Sequence, residues 1–439
     1  MSDERNKPFL TIDPLLALAV VGLMTIGILF IYSSGVNSNG VLITSEYLKQ
    51  ILWAGVALSI LVSFSYINYN LLRDLSFWIY LIFLILLILT LLFGRVVNGA
   101  KAWIGFFGLG GQPSEFSKIA TILFLARFLA NKRTEIQDWR VFLQAFIIVA
   151  APMLLILRQP DTGTTLVFIP IFLLMMFMAG ARVRHILYLA CTGILSFVLA
   201  LIPAVETIIY HDPNGLGNLL TDPKVLLIVG GVLFLIVFLC IFGFRQYKQR
   251  TYYWLAYLFS IILISFLLAY LLRSILKDYQ VMRFIVFLDP SVDPKGSGWN
   301  LIQSMTAIGS GGIFGKGFLL GTQSHYRFLP MQSTDFIFSI LGEEWGFFGA
   351  FAVFSLFMIL LFRMLYVMQI IKDNFGVLAI SGFVGMFFTH VFVNVGMTVG
   401  IMPVTGIPLY FLSYGGSSLI AGSLAVGITM NINSRRFRF

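Results

Sequence analysis

Asp335 stands where a glycine-rich polar stretch meets a long apolar one, in the run Pro330-Met-Gln-Ser333-Thr334-Asp335-Phe336. Ser and Thr hydroxyls accept hydrogen bonds from the first free amides of a helix, so Ser333 and Thr334 read as a helix entry. Asp335 is then expected in the first helical turn, where the positive end of the helix dipole favours an ionised carboxylate. A carboxylate in that place can cap the helix, or it can serve as a general base toward a hydroxyl at the membrane boundary. Glu343 and Glu344 follow two turns later in an otherwise apolar run. Ionisable groups at membrane depth are costly and tend to line cavities or pathways.

Four other stretches carry residues of chemical interest. Trp103, in Gly99-Ala-Lys101-Ala-Trp103, is either an interfacial anchor or an aromatic platform for a sugar ring. Glu115 and Lys118, in Gln112-Pro-Ser-Glu115-Phe-Ser-Lys118, share a helix face by their spacing. They form a structural ion pair, or a cation held ready for a phosphate. In Arg158-Gln-Pro160-Asp161-Thr-Gly-Thr164, Asp161 can cap the helix that follows, while Arg158 near the lipid boundary is expensive for a mere turn. Asn394-Val-Gly396, Pro403-Val-Thr405-Gly-Ile-Pro408 and Ser413-Tyr-Gly-Gly-Ser417-Ser418 are rich in helix breakers. Broken helix at membrane depth is tolerated only where protein packs it or water lines it, and a cavity is the expectation.

These residues need a scaffold, and composition says which kind. Hydrophobic residues are 59% of the 439 and charged ones only 11%, which excludes an ordinary soluble domain. The reading is an all-α polytopic integral membrane protein. A net charge of +10 comes mostly from basic residues at the ends of apolar runs, as the positive-inside bias requires, so nucleic acid is not expected as a partner. Cys191 and Cys240 both lie in apolar runs, and no disulfide framework follows. Apolar runs long enough to span lie at about 14–32, 47–66, 76–94, 115–131, 141–157, 163–181, 186–204, 224–244, 253–273, 347–367, 375–397 and 411–431.

That makes about twelve transmembrane helices in a single domain over 1–439. Basic residues then fall on the cytoplasmic side with both termini: Arg5 and Lys7, the hinge Arg245-Gln-Tyr-Lys248-Gln-Arg250, and the tail Arg435-Arg436-Phe-Arg438. Outside lie the polar clusters above and the large loop that closes on Gly346. Gly309–Gly312 and Gly315–Gly317 follow no predicted strand and lead to no GKS/T, so a nucleotide loop fails on context; a flexible cover over substrate is expected instead. His185, His211, His325 and His390 lack metal-ligand spacing, and no metal cage is expected.

Taken in order, the motifs GAKAW, QPSEFSK, RQPDTGT, FLDP (287–290), the glycine-rich loop with TDFIF and EE, NVG, TGIP and SYGGS resemble the SEDS family (shape, elongation, division and sporulation proteins) over nearly the whole chain. The run GTQSHYRFLPMQSTDFIF is similar to the elongation branch, which shapes rod-like cells, more than to the division branch. Departures are Ala102 where the family carries Arg before the Trp, Thr162 for Leu, and Tyr410 for the second Pro of GIPLP. The pair of helices at 224–273 also exceeds the family's usual ten-helix core.

The resemblance implies a peptidoglycan glycosyltransferase in the cytoplasmic (inner) membrane. It would polymerise lipid II during cell-wall elongation and cell division, keeping cell shape, with its site in the extracytoplasmic region 277–346. The family's essential carboxylate maps to Asp335, as general base on the attacking sugar hydroxyl. Charge on the departing lipid diphosphate would fall to cations among Lys101, Lys118, Arg158, Arg283, Lys316 and Arg327. Trp103, Glu115, Asp161, Glu343 and Glu344 complete the implied substrate site. No resident cofactor is implied beyond a divalent cation, Mg or Mn, accompanying the diphosphate. Partners would be the lipid-linked glycan strand, membrane lipids, and a class B penicillin-binding protein that cross-links peptides. Its helix would dock on the aromatic run Trp345 to Phe357 and on Gly346, Gly349, Gly376, Gly382 and Gly385. A lipid II flippase and a non-catalytic scaffold of the elongation machinery are the rival functions.

Overall fold

The structure is a computed structural model that describes residues 12–97, 100–106, 109–211, 215, 217 and 222–435. Arg5, Lys7, Gly99, Arg436 and Arg438 lie outside the described residues. Helices dominate: α1 (Pro14–Ser34), α2 (Glu46–Tyr66), α3 (Tyr69–Phe93), α4 (Pro113–Asn131), α5 (Trp139–Arg158), α6 (Thr162–Met178) and α7 (Val183–Ile208). Then come α8 (Pro223–Tyr247), α9 (Arg250–Ile275), α10 (Asp278–Leu288), α11 (Ser297–Gly311), the single turn α12 (Thr322–His325), α13 (Ile337–Ile370), α14 (Asn374–Thr398) and α15 (Gly416–Ser434). Nine of these, among the described residues, are long and apolar enough to cross a membrane, and α6 is apolar but shorter. With α4 and α15, whose polar positions are buried inside the protein, they account for the twelve expected segments.

Three features depart from the expected outline. The polar loop after α3 folds into a small antiparallel sheet of β1 (Arg95–Val97), β2 (Ala100–Phe106) and β3 (Leu109–Gly111), in that order. The helix expected from 347 starts ten residues earlier, at Ile337, because the apolar run on either side of Gly346 is bent rather than interrupted there. Gly346 adopts φ 60° and ψ −152°, a conformation open to glycine alone, and the helix resumes beyond it. Residues 309–311 of the supposed flexible cover are the last turn of α11.

The chain divides into two compact units, Met1–Ala181 with Asn300–Phe439, and Arg182–Trp299. In the first, α14 is the central helix, buried along nearly all its length. Its glycines explain the close packing. A Cβ on Gly382 would lie 2.5 Å from Ile122 of α4 and 2.8 Å from Met175 of α6, and one on Gly385 would lie 3.3 Å from the Ile171 backbone. The face expected to receive a partner helix at Gly382 and Gly385 is therefore occupied by this chain's own α4 and α6. Phe347, Phe348 and Phe351 of the aromatic run do remain exposed, while Phe357 is buried.

Polar side chains complete backbone groups that water cannot reach in an apolar environment. Pro152 in α5 has no amide to give Ile148, and the Tyr80 hydroxyl donates to that carbonyl at 2.8 Å. Asp13 caps α1 through Leu15 and Leu16 and also accepts from Arg363 of α13 at 2.7 Å and Asn433 of α15 at 3.1 Å. That single buried carboxylate ties the start of α1 to two later helices.

The second unit contains the pair expected at 224–273 together with α7 and α10. Its α7 and α9 are laced at helical intervals: Tyr257 to the Arg184 carbonyl (2.6 Å), Tyr188 to Ser260 (3.2 Å) and Ser265 to the Thr192 carbonyl (3.2 Å). Residues 184, 188 and 192 lie four apart on one face.

Candidate active site

Asp335 does not lie in a helical turn. It is the last residue of the turn 331–335, one before the N-cap Phe336, and neither Ser333 nor Thr334 caps α13. The turn closes on itself, the Asp335 amide donating to the Met331 carbonyl at 3.0 Å, so the hydroxyls have no helix amide to meet. What holds the turn comes from other motifs. The Ser333 carbonyl accepts from the Tyr414 amide at 2.8 Å, the Thr334 carbonyl from the Ser413 hydroxyl at 2.6 Å, and the Asp335 carbonyl from the Asn394 side-chain amide at 3.0 Å. Three consecutive carbonyls are thus pinned. The Asp335 carboxylate lies over Gly406, where an added Cβ would stand 3.4 Å from Oδ2. Gly406 has φ +73°, so its own backbone also favours glycine.

The stretch 403–415, expected to line a cavity, is packed in protein along its middle. Ile407, Leu409, Tyr410, Phe411 and Leu412 are all within 1% of full burial, and Gly27 of α1 sits against the Phe411 carbonyl, where a Cβ would approach to 2.6 Å. Two other outer motifs reach the same region. Gly163 lies against the Thr405 carbonyl, which a Cβ would meet at 2.6 Å. Gln112 donates from its side chain to Asp161 at 2.9 Å, and its backbone amide donates to the Ser417 hydroxyl at 3.0 Å. Asp161 also caps α6 through the Thr164 amide at 3.0 Å, as its place before the helix predicts. Burial pushes the Asp161 carboxyl up, against the pull of the Thr164 hydrogen bonds.

The remaining residues divide by environment. Trp103 is half-buried on β2 and packs at Gly110 of β3. Lys101, one strand position from Ala102, turns its ammonium to the Leu92 carbonyl at the end of α3, 3.0 Å away. Lys118 is fully buried: its Nζ is 2.8 Å from Glu115 Oε1 and 2.9 Å from His390 Nε2, and the Tyr410 hydroxyl donates to Glu115 Oε2 at 2.9 Å. The ion pair is thus closed within the protein, with no exposed face toward a phosphate. Arg158 and Arg327 are exposed. Arg283 belongs to the unit 182–299, where its guanidinium lies 5.8 Å from the Tyr279 ring; nearby in sequence Asp289 is held below the usual carboxylate range by the Ser291 hydroxyl and amide.

Glu343 and Glu344 face the glycine-rich loop itself. Glu343 accepts from the amides of Thr322 (2.7 Å), Gln323 (2.9 Å) and Ser324 (3.3 Å) at the start of α12, and from Lys316 Nζ at 2.8 Å. Glu344 accepts from the Leu319 amide at 3.1 Å and from the Ser33 hydroxyl of α1, with His325 Nε2 3.5 Å away. Both side chains are completely buried. Their oxygens hydrogen-bond along residues 316–324, and Lys316 is committed to the ion pair with Glu343. Among the described residues, no group of three His, Cys, Asp or Glu is placed to hold a metal ion.

The model of the FtsW/RodA/SpoVE family, described as cell cycle protein, matches residues 14–212 and 225–437. The chain belongs to this family. Relatives within it include the peptidoglycan glycosyltransferase RodA of Treponema pallidum, 48% identical with 97% of this chain and 98% of the relative covered. Others are the stage V sporulation protein E of Bacillus subtilis (32%, 99% of each) and the peptidoglycan glycosyltransferase MrdB of Escherichia coli K12 (30%, 99% and 98%). Among solved structures, a chain from a study of polymerisation and cross-linking by a peptidoglycan synthase complex superposes with TM-score 0.67 at 26% identity, covering 97% of this chain and 99% of that one. RodA of Thermus thermophilus superposes with TM-score 0.60 at 24% identity and 97% coverage of both, a likeness of fold.

In this member of the FtsW/RodA/SpoVE family, the motifs are joined by two residues outside the expected site, His390 and Tyr410. His390, one of four histidines without metal-ligand spacing, bridges Lys118 and the Pro408 carbonyl, the latter at 2.8 Å. The spacing of His390 and Asn394, one helical turn apart, was the available signal. Tyr410, noted only as a departure from GIPLP, closes the Glu115 end of the same cluster.

Proposed function

We propose that this multi-pass membrane chain is a peptidoglycan glycosyltransferase that polymerises lipid II into glycan strands, with Asp335 as general base. The sugar 4-hydroxyl of lipid II attacks the anomeric carbon of the growing strand. Its proton passes to the Asp335 carboxylate as the new C–O bond forms, and the bond from the anomeric carbon to the lipid diphosphate breaks, the electron pair leaving with the diphosphate. Configuration inverts, and one carboxylate suffices. The observation that carries this reading is the seat of Asp335, a carboxylate over Gly406 on a turn whose three carbonyls are each held by another family motif. Rigid placement of the base is what proton transfer in the transition state requires.

Of the cations expected to meet the diphosphate, Lys118 and Lys316 neutralise internal carboxylates, Lys101 is turned to the Leu92 carbonyl and Arg283 belongs to the unit 182–299, which leaves the exposed Arg158 and Arg327 of the first unit for that role. A divalent ion, where present, arrives on the diphosphate as part of the substrate. The site faces the extracytoplasmic side of the cytoplasmic membrane, with both termini inside, and a class B penicillin-binding protein cross-links the product. The exposed face of Phe347, Phe348 and Phe351 is the docking surface that fits its transmembrane helix.

The test is purified protein in detergent with labelled lipid II, where no membrane side exists. Polymer from the unmodified chain and at least a hundredfold less, about, from Asp335→Asn supports the reading. No polymer at all favours the flippase or the scaffold, and turnover by Asp335→Asn within about tenfold of the unmodified chain removes the general-base role.

A further inference from the structure

Asn394 is wholly buried in α14, and its one side-chain nitrogen donates twice, to the Asp335 carbonyl at 3.0 Å and to the Ile407 carbonyl at 2.7 Å. These two carbonyls belong to segments far apart in sequence. Asp335 carries the carboxylate, and Ile407 follows Gly406, the residue over which that carboxylate lies. One turn earlier on the same face, His390 takes the next carbonyl, that of Pro408, at 2.8 Å. His390 is itself fixed. A carbonyl at Nδ1 requires the ring proton there, so Nε2 accepts from Lys118, whose charge is balanced by Glu115.

We propose that Asn394 is a positioning residue for Asp335, an amide clamp that sets the distance between the carboxylate and the 406–407 backbone. This rests on the general-base reading of Asp335 given above. Chemistry explains why an amide is needed. Both partners are acceptors, so the residue between them must offer two N–H bonds from one atom, and only Asn or Gln does so without a charge. Aspartate at the same place offers no donor and sets a carboxylate against two carbonyls. Ser413 pins the neighbouring Thr334 carbonyl, a different contact from the one Asn394 makes to Asp335. Asn394 touches no substrate in this role; it acts through the turn that Asp335 occupies. A misplacement of about 1 Å at a reacting group lowers turnover on the order of a hundredfold.

The experiment compares unmodified protein, Asn394→Asp, Asn394→Ala and Asp335→Asn, each full-length in detergent. Two measurements are made: steady-state polymerisation of labelled lipid II, and amide hydrogen exchange by mass spectrometry without substrate. Both Asn394 variants are expected to lower kcat at least about tenfold with KM within about threefold, since orientation and not substrate affinity is lost. Exchange is expected to quicken at least about tenfold in peptides covering 331–336 and 404–409 while α2 and α15 keep their protection. The proposal is overturned by kcat within about threefold of the unmodified chain in both variants. It is also overturned by unchanged exchange in those two peptides, or by a rise across the whole protein, which marks general loosening. Failure of the underlying reading has its own signature. Undiminished turnover in Asp335→Asn removes the general base, and the exchange data still decide whether Asn394 holds the turn.

Discussion

Arg273 Nη2 donates to the carbonyl of Leu199 at 3.0 Å, and Nε donates to that of Ala200 at 3.3 Å. Leu199 is four residues before Pro203, which has no amide to return to it, so the arginine of α9 fills the vacancy in the hydrogen-bond ladder of α7. Within an apolar surrounding an orphaned carbonyl is expensive, on the order of 1–3 kcal/mol. Arg273→Met is therefore expected to loosen the unit 182–299 by about that amount while Arg273→Lys, which still reaches one carbonyl, loses less. Limited proteolysis of the extracted protein checks this: cleavage between 182 and 299 should quicken several-fold in Arg273→Met, and equal rates in all three proteins would show that the carbonyl is satisfied without the arginine.

Glu343 and Lys316 make the same kind of claim in the site loop. The Glu343 side chain is fully buried and collects three amides of α12, while the Lys316 side chain retains 27% exposure. Removing the carboxylate leaves buried amides without acceptors, a loss of about 2–4 kcal/mol. Removing the partly wet lysine leaves the amides paired and loses on the order of 1 kcal/mol. Glu343→Ala should thus release residues 316–325 to rapid hydrogen exchange, with Lys316→Ala intermediate between it and the unmodified chain. The reverse order would mean that the ammonium, not the amide cluster, organises the loop.

Much of this was legible in the chain, and the exceptions share a physical cause. Apolar runs place the helices because their length and period are local properties, nine of them, among the described residues, long and apolar enough to cross a membrane, and Asp161 announces its capping role because a cap is a local event. Asp335 looked like a first-turn residue for the same local reasons, and the turn instead belongs to tertiary partners at Asn394, Ser413 and Tyr414, some 60 to 80 positions away. Glu343 and Glu344 were recognised as buried charges, but what they pair with lies on α1 and the glycine-rich loop, and no periodicity encodes that choice. Glycines on α14 misled in a related way. Small residues signal close helix packing, and sequence does not say whether the neighbour is a partner protein or, as here, α4 and α6 of the same chain.

His325 supplies a pH dependence with a defined sign. It lies outside the spans, in α12, with Nδ1 against the Val36 carbonyl at 2.8 Å and Nε2 3.5 Å from Glu344. The Glu344 carboxylate beside Nε2, the Val36 carbonyl and the charge of Glu343 raise its pKa above 6.5, against an opposing push from burial. A raised folded-state value means that the protonated form binds more tightly in the folded protein, so this contribution is complete below the unfolded value near 6.5. It is lost as pH climbs through the folded value, which lies above 6.5. The loss falls on the contact between α1 and the site loop, because Val36 and the backbone of Ser38, whose amide donates to the His325 carbonyl, are both anchored there. Thermal midpoints of the detergent-extracted protein should therefore fall from slightly acid toward alkaline pH. His325→Asn, which offers a donor to Val36 but cannot take a charge, should flatten that slope. A slope of the same size in the variant would assign the effect to another group.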